Sequence, residues 1–178
     1  MKMKELELYV HIPFCVRKCS YCDFLSAPAP QHIRSDYLAR LLLEMQAAGL
    51  AYRDYCVSSV FVGGGTPSIL TASQMLQLFS QLHDSFCVRS DAEITVECNP
   101  GTLNREKLQA YRKAGVNRLS IGLQSADDRE LRLLGRIHTF EQFVQNFYLA
   151  RELGFDNINV DIISAIPGQK MNVYEQTL

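Results

Sequence analysis

No charge of either sign dominates this chain. Its 18 Lys and Arg stand against 19 Asp and Glu, for a formal net charge of −1. Nucleic-acid binders carry a basic face of clustered Lys and Arg, and no such clustering occurs here, so no nucleic-acid partner is expected. Long apolar runs are missing too: stretches such as Val57 to Val62, with two serines, fall far short of the roughly 20 residues that span a bilayer. No transmembrane segment is expected. Met1-Lys2-Met3-Lys4-Glu5 runs straight into a strand-like segment with no small-residue cleavage site, so the expectation is no signal peptide and a cytoplasmic, reducing location. No Pro, Gly or Ser linker, internal repeat or low-complexity tract divides the chain.

What is present suits one globular domain over residues 1–178, with 47% apolar residues to build a core. Of the six cysteines, three fall within eight residues, at Cys15, Cys19 and Cys22. In a reducing compartment such clustering points to a metal and not to disulfides.

Five short β-branched and aliphatic segments read as buried strands: Leu6–Ile12, Ser59–Val62, Glu93–Glu97, Arg118–Gly122 and Asn157–Ile163. Helical patterns lie between them. The first carries Tyr37, Leu38, Leu41, Leu42 and Met45 and is expected to stop near Gly49. Thr71 with Gln74, and Thr139 with Gln142, form capping boxes ahead of the second and fourth. The third starts after Asn104 and ends at Gly115, and Gly154 stops the fourth.

Strand–helix alternation implies a parallel sheet with crossover helices. An open doubly wound sheet would place a glycine-rich phosphate turn after the first strand, where this chain has cysteines. A partial (β/α) barrel fits better, because barrel chemistry collects at the C-terminal ends of the strands. There the unusual residues fall: the cysteines, then Gly63-Gly64-Gly65-Thr66-Pro67, Glu97-Cys98-Asn99-Pro100, Gln124-Ser125 and Asp161. Five βα units cannot close an eight-stranded barrel, so the expectation is the N-terminal part of a longer protein with its C-terminal part missing.

Three thiolates spaced CxxxCxxC on one loop can wrap an iron–sulfur cluster and leave one iron open to a small molecule. The alternative is a non-catalytic metal-binding domain, with structural zinc and His11 or Asp23 as fourth ligand, but no second cysteine pair is placed to complete a zinc site. Cys56, Cys87 and Cys98 read as buried small hydrophobes.

These residues resemble the radical S-adenosylmethionine (SAM) superfamily. The resemblance rests on CxxxCxxC after a first strand, on Tyr9-Val10-His11-Ile12-Pro13-Phe14-Cys15, on Cys22-Asp23-Phe24 and on the GGGTP turn. Together they resemble the HemN/HemW group, which holds oxygen-independent coproporphyrinogen III oxidases and heme chaperones. The resemblance implies a [4Fe-4S] cluster on Cys15, Cys19 and Cys22, with S-adenosyl-L-methionine chelating the free iron and yielding a deoxyadenosyl radical on reduction. It assigns cofactor contacts to Tyr9, Gly64, Gly65, Thr66, Glu97, Gln124, Arg136 and Asp161. Oxidases of the group carry a fourth cysteine where this chain has Phe24, which leaves decarboxylase activity in doubt and favours the chaperone branch. That branch implies a heme or porphyrin ligand, an electron donor such as flavodoxin or ferredoxin, and a heme-acceptor protein.

Overall fold

The computed structural model describes residues 3–178. Five parallel strands, β1 (Lys4–Ile12), β2 (Tyr55–Gly64), β3 (Cys87–Cys98), β4 (Arg118–Gln124) and β5 (Asn157–Ile162), pair in the order β1-β2-β3-β4-β5. Helices α1 (Gln31–Ala51), α2 (Ala72–Ser85), α3 (Arg105–Lys113), α4 (Asp128–Leu133), α5 (Phe140–Glu152) and α6 (Met171–Thr177) complete the alternation. This is the partial TIM-like barrel expected, with β1 and β5 at the sheet's two edges. No helix among the described residues is long and apolar enough to cross a membrane.

Strand alternation sorts the side chains onto two faces. Val10, Ile12, Val57, Val60, Val62, Ile94, Val96, Leu119, Ile121 and Leu123 are buried in the core shared with the helices. That core includes Met75, Leu78, Phe79 and Leu82 of α2, Leu108 and Tyr111 of α3, and Phe143 of α5. On the opposite, concave face stand Tyr9, His11, Phe61, Thr95, Glu97, Ser120, Gly122 and Asp161. Here Tyr9 stacks on Phe61 at 6.2 Å between ring centroids.

The helix starts follow from local chemistry. Thr71 and Thr139 each complete a reciprocal capping box with Gln74 and Gln142, and the Asn104 side chain accepts from the Lys107 N–H. Gly115 and Gly154 take positive φ at the stops, as left-handed caps require. Helix α1 stops near Gly49 as expected, at Ala51; a Cβ at Gly49 would collide with the Ser85 carbonyl, so glycine there permits close packing on the end of α2. One expectation fails: not all three remaining cysteines are buried. Cys98 is, but Cys56 is half-buried and Cys87 exposed, because both stand at strand starts, across the pleat from Val57 and Val88.

Helix α4 is additional to the sequence pattern, being only six residues long. Asp127 caps it by accepting from the Arg129 and Glu130 N–H groups. The Arg129 side chain beside Asp127, with those N–H groups, holds its carboxyl down at about 2.

Candidate metal and cofactor site

The cysteine loop is closed at its base and pinned at its tip. Phe14 and Ala27 form a parallel bridge, the Cys15 N–H donates to the Ala27 carbonyl, and the Ala27 N–H donates to that of Pro13. At the tip, the Ser20 N–H and hydroxyl donate to the Leu134 and Leu133 carbonyls at the end of α4. Lys18 Nζ donates to the Phe24 carbonyl within the loop.

The glycine-rich turn is stitched to the same loop. The Gly65 N–H donates to the Ile12 carbonyl at 2.8 Å and the Thr66 N–H to the Phe14 carbonyl at 2.7 Å. A Cβ on Gly65 would sit 2.6 Å from the Phe14 oxygen, so only glycine allows the approach. Gly64 has φ +116 and donates its N–H to Glu97 Oε2 at 3.0 Å. A Cβ on Gly63 would press on that same carboxylate at 2.9 Å. Two motifs far apart in sequence, and a carboxylate from a third strand, thus form one contiguous wall.

Around this wall a cavity enclosing about 840 Å³ of empty space, its open mouth included, is lined by Cys15, Cys19, Cys22, Gly64, Gly65, Thr66, Glu97, Gln124, Arg136 and Asp161. Ten of the eleven residues implied by the resemblance therefore share one cavity. Tyr9 does not: it stands before the end of β1, 61% exposed, with its hydroxyl on His11 Nδ1 at 3.1 Å. Because the Leu25 carbonyl can only accept, His11 Nε2 carries the proton given to it, and Nδ1 accepts from Tyr9. Both ring nitrogens of His11 are engaged.

Gln124 reaches the cavity through a bulge. The β4–β5 register slips between Gly122 and Gln124, and Gln124 takes φ +76. A bulge re-aims a side chain in this way, at the expense of backbone strain. Gly122 makes the room, since a Cβ there would fall 2.8 Å from the Gln124 amide and 3.1 Å from the Arg136 guanidinium. Arg136 spans the cavity's side, with Nη2 donating to the Gly122 carbonyl at 2.7 Å and Nη1 to Cys19 Sγ at 3.7 Å and Tyr21 Oη at 3.4 Å. Its Nε is buried without a partner.

Electrostatics follow from this arrangement. Burial raises the Glu97 carboxyl above its ordinary range, against the pull of the Gly64 N–H, and Asp161 adds to the rise. Burial also raises the Cys15 thiol; the Ser26 hydroxyl and Lys18 lower it, while Cys19 and Cys22 raise it. Asp161 is held by Ser120 Oγ at 3.0 Å and Asn159 Nδ2 at 2.7 Å. These two supports, together with Tyr21 and Ser26, are additional to the sequence-level set. Alternation placing Ser120 and Asn159 on the Asp161 face was the available signal. His138 is buried, and burial followed by the nearby Arg136 charge pulls it down to about 4, leaving it neutral.

The donor set fits the group that the resemblance implies. Three thiols line one cavity, and the half-buried Arg136, whose Nε is a buried donor without a partner, sets its Nη1 against one of them. Among the described residues no trio of His, Cys, Asp or Glu converges on a point that one metal ion would fill.

Comparison with known proteins agrees with this geometry. The model of the radical SAM superfamily matches residues 9–178. The chain is 38% identical over 172 residues to the heme chaperone HemW of Escherichia coli (strain K12), covering 96% of this chain and 46% of that protein. It is also 38% identical over 180 residues to the oxygen-independent coproporphyrinogen-III oxidase-like protein HemZ of Bacillus subtilis (strain 168), covering 98% and 36%. In structure it matches the coproporphyrinogen III oxidase HemN of Escherichia coli with a TM-score of 0.90 at 31% identity, covering 99% of this chain and 41% of that one. The chain therefore spans less than half the length of these relatives. With its cysteine loop, glycine turn and barrel rim assembled as described, this chain belongs to the radical SAM superfamily.

Proposed function

We propose that the chain is the cofactor-holding core of a HemW-like radical SAM protein acting in heme trafficking or porphyrin metabolism in the cytoplasm. Cys15, Cys19 and Cys22 would hold a [4Fe-4S] cluster. Gly64, Gly65, Thr66, Glu97, Gln124, Arg136 and Asp161 would hold S-adenosyl-L-methionine beside it. The observation that carries this reading is the one cavity shared by the three thiols, the glycine turn and the two carboxylates.

When bound, the cluster and S-adenosyl-L-methionine supply one-electron reductive chemistry. The chain's own residues position and exclude. Gly64 and Gly65 remove side chains where the wall must be approached closely, and Thr66 presents a hydroxyl. Glu97 and Asp161 offer acceptors for an ammonium or ribose hydroxyls, and Arg136 a donor fork for a carboxylate. Arg136 also places positive charge beside Cys19 Sγ.

A second reading, an oxygen-independent coproporphyrinogen III oxidase, is favoured by the close structural match to HemN. Phe24 argues against it. At the position of the oxidases' fourth cysteine it presents a 69% exposed ring at the cavity lining. Heme, an electron donor of the flavodoxin or ferredoxin type, and a heme-acceptor protein are the partners this proposal names.

Anaerobic iron and sulfide reconstitution tests the core claim. About four irons and four sulfides are expected per chain, lost in Cys15→Ala, Cys19→Ala or Cys22→Ala and retained in Cys98→Ala. Adding S-adenosyl-L-methionine should change the reduced cluster's electron paramagnetic resonance spectrum, and less so in Asp161→Ala. One zinc without sulfide would overturn the reading. Heme binding without anaerobic decarboxylation by a whole protein carrying this core would separate the chaperone from the oxidase.

A further inference from the structure

At the far end of the sheet from the cavity, Cys56 and Cys87 place their Sγ atoms 3.2 Å apart. Cys56 is the second residue of β2 and Cys87 the first of β3, and the two are register partners on adjacent parallel strands. Paired parallel strands bring such Cα atoms to about 4.8 Å, inside the roughly 4.4–6.8 Å that a disulfide spans. The backbone there has slack, since pairing breaks off after Val57 and Val88 and resumes only at Ser59 and Glu93.

The surroundings suit thiol exchange. Cys87 is exposed and Cys56 half-buried, so an oxidant reaches the pair without unfolding. Arg89, paired with Glu5 at 3.2 Å and with Asp91 at 2.6 Å, stands on the same strand end. The Cys56 thiol is raised, first by the Cys87 hydrogen bond and then by burial, and the Arg89 charge draws it only partly back. Gly64 and Glu97 lie at the opposite ends of β2 and β3, so this pair takes no part in the cavity.

We propose that Cys56 and Cys87 form a reversible dithiol–disulfide pair, a modification site for small disulfides such as oxidised glutathione. The Cys87 thiolate attacks one sulfur of the small disulfide, breaking its S–S bond and expelling one thiolate. The Cys56 thiolate then attacks the Cys87 sulfur of the mixed disulfide and expels the second. Two protein thiols lose two electrons and two protons, and the small disulfide leaves as two thiols carrying those protons.

Tryptic mapping after equilibration with reduced and oxidised glutathione, acid quench and alkylation in denaturant tests the pair. Residues 54–89 contain no Lys or Arg before Arg89, so both thiols fall on one peptide, separate from 5–17, 19–34 and 90–105, which carry the other cysteines. Peptide 54–89 is expected lighter by two hydrogens and unalkylated as oxidised glutathione rises, and restored by dithiothreitol. Cys87→Ser should leave the same peptide with at most one glutathione on Cys56 and no loss of hydrogens. Recovery with both thiols alkylated at every ratio, or with glutathione adducts and no internal bond in the unmutated chain, overturns the proposal.

Discussion

Substituting Glu97 separates its two contributions to the fold. Its carboxylate accepts the Gly64 N–H at 3.0 Å, yet burial raises its pKa, so its ionised form is destabilised inside the protein. Glu97→Ala removes the acceptor and leaves that partly buried N–H unpaired, which costs about 1–2 kcal/mol. For a chain of this size that is a loss of about 2–4 °C per kcal/mol in Tm. Glu97→Gln keeps an acceptor oxygen and removes the charge. A raised carboxyl binds its proton more tightly when folded, so wild-type stability falls as pH rises from the unfolded through the folded pKa. The Gln variant has no such loss. At neutral pH it is expected to equal or exceed wild type, with the advantage vanishing below the ordinary carboxylate range. Thermal unfolding of the metal-free chain by circular dichroism, at neutral and acidic pH, reads both effects. If Gln is as destabilising as Ala at neutral pH, or if its advantage grows on acidification, the assignment of burial as the dominant influence on Glu97 is wrong.

Gly65→Ala would drive a Cβ into the Phe14 carbonyl, and overpacking against backbone costs about 1–3 kcal/mol; the loosened cysteine loop should be cut faster by trypsin at Arg17 and Lys18 than in wild type. Tyr111→Phe is expected to hold or raise stability in urea titration, because the Tyr111 hydroxyl is buried without a partner; a loss above about 1 kcal/mol would mean that the hydroxyl is paired. Gln124→Gly should relieve the positive φ, worth about 1–3 kcal/mol, and raise Tm while weakening any response of the reconstituted cluster to S-adenosyl-L-methionine; an unchanged Tm would show that the bulge is not strained.

Much of this architecture is legible in the chain itself. β-branched runs with a buried alternate face, two Thr–Gln capping boxes and glycines at the helix stops are local devices, each readable within a few residues. They dictate the order of elements, and that order dictates a parallel sheet with its reactive residues on one rim. The cysteine spacing and the GGGTP turn were likewise visible, because both are contiguous in sequence. What only the tertiary structure decided depends on neighbours brought from afar. Gly49 lies near the helix stop, but its second use, close packing against Ser85, shows only in the fold. Gln124 reaches the cavity only because a register slip against β5 turns it there. Cys56 and Cys87, 31 residues apart and unremarked by any motif, meet because β2 and β3 pair in one register and no other. Tyr9 matches the resemblance in sequence but stands on the concave face before the strand's end, where strand length and pleat, not residue type, determine what it touches.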